Sequence, residues 1–362
     1  MGEGDRLSLT RLPHAEHRMK RRPANLKKVT KEVKKATKQP VPKQDTISFD
    51  HVFSTGSTLL DLAISGGRVN GGGIPAGIIV EIFGPSSSGK TSILAELAAS
   101  IQENGGQVKF LDPEARLDQE YCEIYGFSLQ EKDYHMPDTV NEMFGHIWDW
   151  QPDSTLVTNL VAADSLAALS TEMEMEDEDK MGMKRAKDFS QGLRKTCRII
   201  KKKNLILACS NQERGGTGGT VTSGGKGIPY YASLRIRIYP DFKNTKIKKT
   251  KTIGKKPVEK IVGVRSICEI KKSSIDSPYR TAPVSIIFGY GIDTIRDELQ
   301  FHKDLTGAEK FECFGRKFGT IQTAIKNIGE RQLQEDLRQR TITLWNGVQE
   351  QFKTERQKKR RY

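Results

Sequence analysis

The sequence predicts an α/β fold: a phosphate-loop nucleotide-binding core on a mostly parallel central sheet, with a basic N-terminal arm and a small helical C-terminal region. Three observations carry this. The octapeptide Gly84-Pro85-Ser86-Ser87-Ser88-Gly89-Lys90-Thr91 fits G-x-x-x-x-G-K-[ST] between an apolar run, Ile78 to Phe83, and a helical-looking stretch from Ser92 to Leu97, the strand-loop-helix context the motif requires. From about Val52 to Asp293, short apolar runs alternate with amphipathic stretches, as in sheets covered by helices. The chain has 362 residues and a net charge of +14, enough length for one large core and enough basicity to favour a polyanion, nucleic acid first.

Taken in order, residues from about Arg18 to Lys43 are dominated by Lys and Arg and end in Gln39-Pro40-Val41-Pro42, an arm and linker. Charge alone equally suits a solvated tail. Leu26, Val29 and Val33 recur at helical spacing there, which predicts a short helix. Strands are expected at Ile78 to Phe83, Val108 to Leu111, Leu156 to Ala163 and Asn204 to Ser210, forming a parallel sheet. Three more, at Leu234 to Tyr239, Val264 to Ile270 and Ala282 to Phe288, follow one another closely and read as antiparallel. Lys243 to Lys260 reads as an exposed basic hairpin or loop. After Asp293 the chain turns polar and helical, with Trp345, Val348 and Phe352 near one face of a last helix and a cationic tail from Arg356 to Arg361.

Composition also excludes. No run approaches the ~20 apolar residues of a membrane span and the N-terminus lacks an apolar signal core, so a cytoplasmic, membrane-free location is expected. Five scattered cysteines without C-x-x-C spacing suggest neither a disulfide framework nor a zinc site.

Chemistry gathers at the ends of the expected strands. Small residues Gly84 to Gly89 let backbone N–H groups curl around a polyphosphate, Lys90 reaches β and γ oxygens, the Thr91 hydroxyl can ligate magnesium, and Ser92 continues the ATP-binding run. Asp164, closing the run Leu160 to Ala163, can hold Mg2+ through water or cap the next helix. The acidic cluster Asp112-Pro113-Glu114-Ala115-Arg116-Leu117-Asp118 follows another strand, where a carboxylate can activate water. Gln212 ends a fourth strand and can hydrogen-bond a γ-phosphate. The Gly-rich run from Glu213 to Gly225 then reads as a mobile functional loop or a structureless linker, its position favouring the former.

The ordered set of motifs resembles the RecA-family recombinases, bacterial RecA and the phage UvsX type. It comprises Ser54-Thr55-Gly56-Ser57 with Leu59 to Leu62, Gly84 to Thr91, Asp112 to Asp118, Asp164 to Leu169, Met181-Gly182, Asn211-Gln212 and Tyr231-Ala232-Ser233, over roughly Phe53 to Asp293. The resemblance implies residues 1–52 as arm and protomer-contact segment, 53–293 as RecA-like ATPase core and 294–362 as C-terminal region. It also implies Glu114, Lys90 and Gln212 as catalytic residues, the last a γ-phosphate sensor, and Asp118 and Tyr121 as adenine contacts. DNA loops would carry Met181, Lys184 and Arg185, and Arg214 and Val221. Lys271 or Lys272 would act on a neighbouring protomer's nucleotide, a serine standing where the family's second lysine is expected. The implied activity is DNA-dependent ATP hydrolysis in a filament on single-stranded DNA that pairs it with duplex, assisted by a loading factor and a single-strand-binding protein. A hexameric RecA-fold helicase and an ATP-binding recombination mediator are the rival readings.

Overall fold

The computed structural model describes residues 51–172, 183–216 and 219–356, without the side chains of 183, 214–216 and 219–221. The basic arm with its expected helix, Met181, and the tail beyond Arg356 lie outside the described residues. Strand β1 (Val52–Phe53) pairs with β2 (Ile74–Pro75), and between them α1 (Thr58–Ser65) starts where the Ser57 hydroxyl accepts from the Leu60 N–H.

Among the described residues, eleven strands form the main sheet. From one edge it runs β5 (Tyr134–His135), β4 (Val108–Leu111), β6 (Asn159–Ala163), β7 (Leu205–Gly216), β3 (Ile79–Gly84), β9 (Leu234–Pro240), β11 (Lys256–Ser273), β12 (Thr281–Ile287) and β13 (Gly291–Ile292). Two more strands, β8 (Gly219–Thr222) and β10 (Lys246–Ile253), pair with β7 and β11. The six from β5 to β9 are mutually parallel and the rest antiparallel.

Period-2 alternation sorts the parallel strands' side chains onto two cores. Val80, Leu160 and Ile206 face one core, which also holds apolar residues of α1, α2 (Lys90–Glu103) and α3 (Gln119–Tyr125). Ile79, Val161 and Leu207 face the other, filled from α4 (Val140–Asp149), α5 (Met183–Lys202) and α6 (Gly227–Tyr231). Burial on both faces explains why these strands read as unbroken apolar runs. A satellite core joins α7 (Thr294–Thr306), the hairpin β14 (Phe311–Cys313) and β15 (Arg316–Phe318), α8 (Ile321–Glu330) and α9 (Gln334–Gln351) through Leu299, Phe311, Ala324, Ile328 and Leu337. Trp345 of α9 packs instead on Leu62 of α1, Val348 lines a surface cavity between α7 and α9, and Phe352 is exposed. All five cysteines are free, four of them buried.

Two expectations need correction. Gln212 does not end its strand, because β7 runs on past it to Gly216; the late strands, by contrast, pair antiparallel as expected, β11 with both β9 and β12, while β9 also lies parallel to β3. On β9, Arg235 pairs with Glu81 and Arg237 with Glu213. The Gly-rich run is neither a structureless linker nor a loop throughout, because β7 continues to Gly216 and pairs with β8, Glu213 facing Thr222 and Arg214 facing Val221. Ladder bonds supply the order that glycines cannot, and two contacts pin the ribbon's root: Glu213 to Arg237, and Asn211 Nδ2 to the Ser223 carbonyl at 2.9 Å.

Candidate functional site

The phosphate loop is shaped by backbone constraints that only its sequence meets. β3 ends at Gly84, where a Cβ would sit 1.8 Å from the Ile238 carbonyl of β9. Gly89, at φ +102°, would drive a Cβ to 2.2 Å from Ile286 Cδ1. Glycine accepts both without penalty. From Gly89 the chain enters α2, so the positive end of that helix opens onto a cavity of about 490 Å³, a geometry suited to phosphate.

Ser86 to Ser92, Glu114, Tyr121, Asp164 and Gln212 all line that cavity. The Lys90 ammonium donates to the Gly84 and Pro85 carbonyls at 3.2 and 2.8 Å. Burial lowers its pKa, and Asp164 and Glu114 oppose that. The Thr91 hydroxyl donates to Asp164 Oδ2 at 2.5 Å and Ser210 to Asp164 Oδ1. Burial raises the Asp164 pKa, the two hydroxyls pull it down, and Glu114 and Asp112 push it up again. A carboxylate beside a hydroxyl, with other acids close by, is a hard-oxygen donor set that fits Mg2+ held by one or two protein oxygens plus phosphate and water. No cluster of three or more His, Cys, Asp or Glu suited to a metal occurs among the described residues.

Glu114 is positioned by its neighbours. Asp112, buried at the end of β4, accepts from the backbone N–H groups of Glu114, Arg116 and Leu117 and from the Tyr134 hydroxyl at 2.9 Å, fixing the turn. Glu114 Oε1 then accepts from Ser165 Oγ at 2.8 Å, and Oε2 pairs with Arg116 at 2.6 Å. Gln212 owes its place to register: it lies opposite Gly84 in the β3–β7 ladder, so it neighbours the first residue of the phosphate loop. At the other end of the cavity the Tyr121 and Tyr125 rings lie 4.9 Å apart, and Tyr125 donates to Ser92 Oγ at 2.7 Å. Burial raises the Tyr121 pKa, so the phenol stays neutral.

Other expected site residues fall elsewhere. Asp118 caps α3, accepting from the Tyr121 N–H at 2.7 Å, and faces a second cavity behind that helix. Lys184 lies 3.8 Å from Asp188, and Arg185 donates to the Leu166 and Ala167 carbonyls. Lys271 pairs with Glu269 at 2.9 Å, while Lys272 donates to the Pro229 and Tyr230 carbonyls; neither lines the cavity of its own chain. Sequence reasoning did not anticipate Ser210, Arg116 and Tyr125, nor the far wall from Val264, Ile286, Phe288 and Gly291. Ser210 was legible as a residue two before Gln212 on the same strand, so on the same face. The far wall carries no local signal, because the sheet brings it from late in the chain.

The chain matches the family model "RecA N-terminal domain" over residues 20–293. It is 34% identical over 261 residues to Protein RecA of Phytoplasma mali, covering 70% of this chain and 72% of that one. It is also 34% identical over 276 residues to Protein RecA of Delftia acidovorans (74% and 70%), and 32% over 280 residues to that of Colwellia psychrerythraea (74% and 75%). A parallel sheet that brings together the phosphate loop, the acidic turn and Gln212, with kinship over most of the chain's length, places this protein in the RecA family.

Proposed function

We propose that this RecA-family recombination protein assembles on single-stranded DNA with ATP between protomers and pairs that strand with homologous duplex, hydrolysis resetting its high-affinity state. The observation that carries the reading is the Gly84–Gln212 register. One residue contacts the phosphate loop and the next, Glu213, roots a ribbon through its Arg237 pair. A γ-phosphate bound by Gln212 is therefore one residue from the segment that would hold DNA, which is how differential contact in two nucleotide states becomes differential DNA affinity.

In the hydrolytic step water attacks the γ-phosphorus, its proton passes to Glu114, and ADP leaves with the bridging oxygen. Lys90 and the loop N–H groups stabilise the charge that develops. Mg2+, held by Thr91 and Asp164, would neutralise the β and γ oxygens. Ser165 and Arg116 orient Glu114 toward the cavity rather than react.

A filament requires a heterologous, non-closing protomer interface, whereas a helicase ring closes. Electron microscopy with single-stranded DNA and a non-hydrolysable ATP analogue tests this. Helical filaments are expected, and closed hexamers would refute the recombinase reading in favour of the motor.

A further inference from the structure

Lys90 and Arg116 are the only cations that line the nucleotide cavity among the described residues. They reach it from different elements, Lys90 from the start of α2 and Arg116 from the acidic turn after β4. Beside that cavity lies a smaller one of about 30 Å³, and Arg116 shares both walls with Thr91, Glu114 and Asp164. The smaller space has room for a single water. Arg116 therefore stands where substrate, water and general base meet. Burial does most to lower the Lys90 pKa, and the charge of Arg116 adds to it. The two cations are thus close enough to repel, a cost that an anion held by both would remove. The guanidinium, meanwhile, has little structural duty. The turn uses the Arg116 backbone N–H, which donates to Asp112 Oδ2 at 2.7 Å whatever the side chain. The side chain itself is 76% exposed, with Nη1 on Glu114 Oε2 at 2.6 Å, and an ion pair so exposed contributes little to stability.

We propose that Arg116 is a catalytic residue of ATP hydrolysis, holding Glu114 through Nη1 while its remaining N–H groups bind an oxygen of the γ-phosphate. The inference rests on the ATP-hydrolysing reading of this site and adds a cation to it. Hydrolysis brings the Glu114 carboxylate to within one water of the γ-phosphate, anion toward anion, and a cation touching both offsets that repulsion. A guanidinium suits the task, because its planar fork matches phosphate as well as carboxylate and keeps donors beyond the one spent on Glu114. No covalent bond changes at Arg116. Water attacks phosphorus, Glu114 takes the proton, the bond to the bridging oxygen breaks, and the guanidinium stabilises the negative charge gathering on the γ oxygens. ADP lacks the group that Arg116 binds, so its affinity does not depend on Arg116.

The test separates contact with phosphate from an effect passed through Glu114. Arg116→Ala and Arg116→Lys are made in the full chain, alone and together with Glu114→Gln, and titrated with ADP and with ADP plus aluminium fluoride, which mimics the phosphoryl group in flight. For Arg116→Ala the expected result is unchanged ADP affinity and melting temperature with kcat lowered about 100-fold. Binding of the ADP–aluminium fluoride complex should weaken at least about tenfold in both backgrounds. Lysine should restore part of that affinity, since a point charge lacks the fork. The Glu114→Gln background decides, because no base remains there to be oriented and binding needs no turnover. Equal affinities for the fluoride complex in Glu114→Gln and in the double variant would make Arg116 a positioning residue acting through Glu114 alone, and overturn the proposal. Wild-type kcat in Arg116→Ala also overturns it, reducing the pair to solvated surface charge. So does an equal loss of ADP affinity, which would put Arg116 on the other phosphates or in the fold. All these readouts concern the nucleotide alone, so closed rings on DNA would refute the recombinase reading and leave them standing.

Discussion

Replacing Glu114 with glutamine separates chemistry from architecture at this site. The carboxylate holds two partners, Ser165 at 2.8 Å and Arg116 at 2.6 Å. Glutamine keeps a carbonyl oxygen for Ser165 but loses the charge facing Arg116. That guanidinium is 76% exposed against 13% for Glu114, so water replaces most of the pairing, and an exposed ion pair contributes at most about 1 kcal/mol. The turn itself hangs on Asp112 and is untouched. Losing a positioned general base costs roughly 100- to 10,000-fold in turnover, equivalent to about 3 to 5 kcal/mol in the barrier. The catalytic loss therefore exceeds the structural one several-fold. The expected result is near wild-type ATP affinity and melting temperature with kcat reduced at least about 100-fold, read by steady-state phosphate release with single-stranded DNA and by nucleotide titration. Lys90→Ala, which removes a charge from the phosphates themselves, should instead abolish ATP binding together with turnover. Wild-type kcat in Glu114→Gln would refute the assignment, and parallel loss of affinity and turnover would mean that Glu114 binds rather than activates.

Three further outcomes follow from the same geometry. Gln212→Ala should bind ATP normally yet lose most of the ATP-dependent gain in single-strand affinity; an unchanged ratio of affinities between ATP and ADP states would take Gln212 out of the coupling. Glu81 is fully buried between Arg235 Nε at 2.5 Å and Asn211 Nδ2 at 3.0 Å, so Glu81→Gln should destabilise by about 3 kcal/mol by stranding the arginine, while Glu81→Gln with Arg235→Met restores most of it; equal denaturation midpoints for the single and double variants would contradict this. Burial raises Glu298 from 4.5 to about 7, so the folded state keeps a proton that the unfolded chain releases, and the resulting stability is present below about pH 4.5 and lost as pH rises through 7. Glu298→Gln should leave the melting temperature unchanged near pH 4.5 and raise it at pH 8, by up to about 3 kcal/mol in stability; an equal increment at both pH values would show that the proton on Glu298 is irrelevant.

Local chemistry alone determined the nucleotide loop, the strands at Val108 to Leu111 and around Ile79 to Phe83, and the acids that end their neighbours. A phosphate loop needs glycines where φ or close approach forbids a Cβ, and doubly covered strands need unbroken apolar runs; both demands are met by residues adjacent in the chain. The parallel run of the early strands and the antiparallel run of the late ones were legible too; what lay beyond reach was their spatial order and register. Beside β3, the arginines of β9 find their partners in Glu81 and Glu213, which lie 154 and 24 residues away. The order in the Gly-rich ribbon comes from a ladder between its own two strands and from Asn211 and Arg237 at its root, where composition alone argues for a loop. Sequence names the groups able to bind phosphate and move a proton, because that ability belongs to residue type and short spacing. Which of them meet is decided by register and packing between distant segments, and no local pattern encodes that.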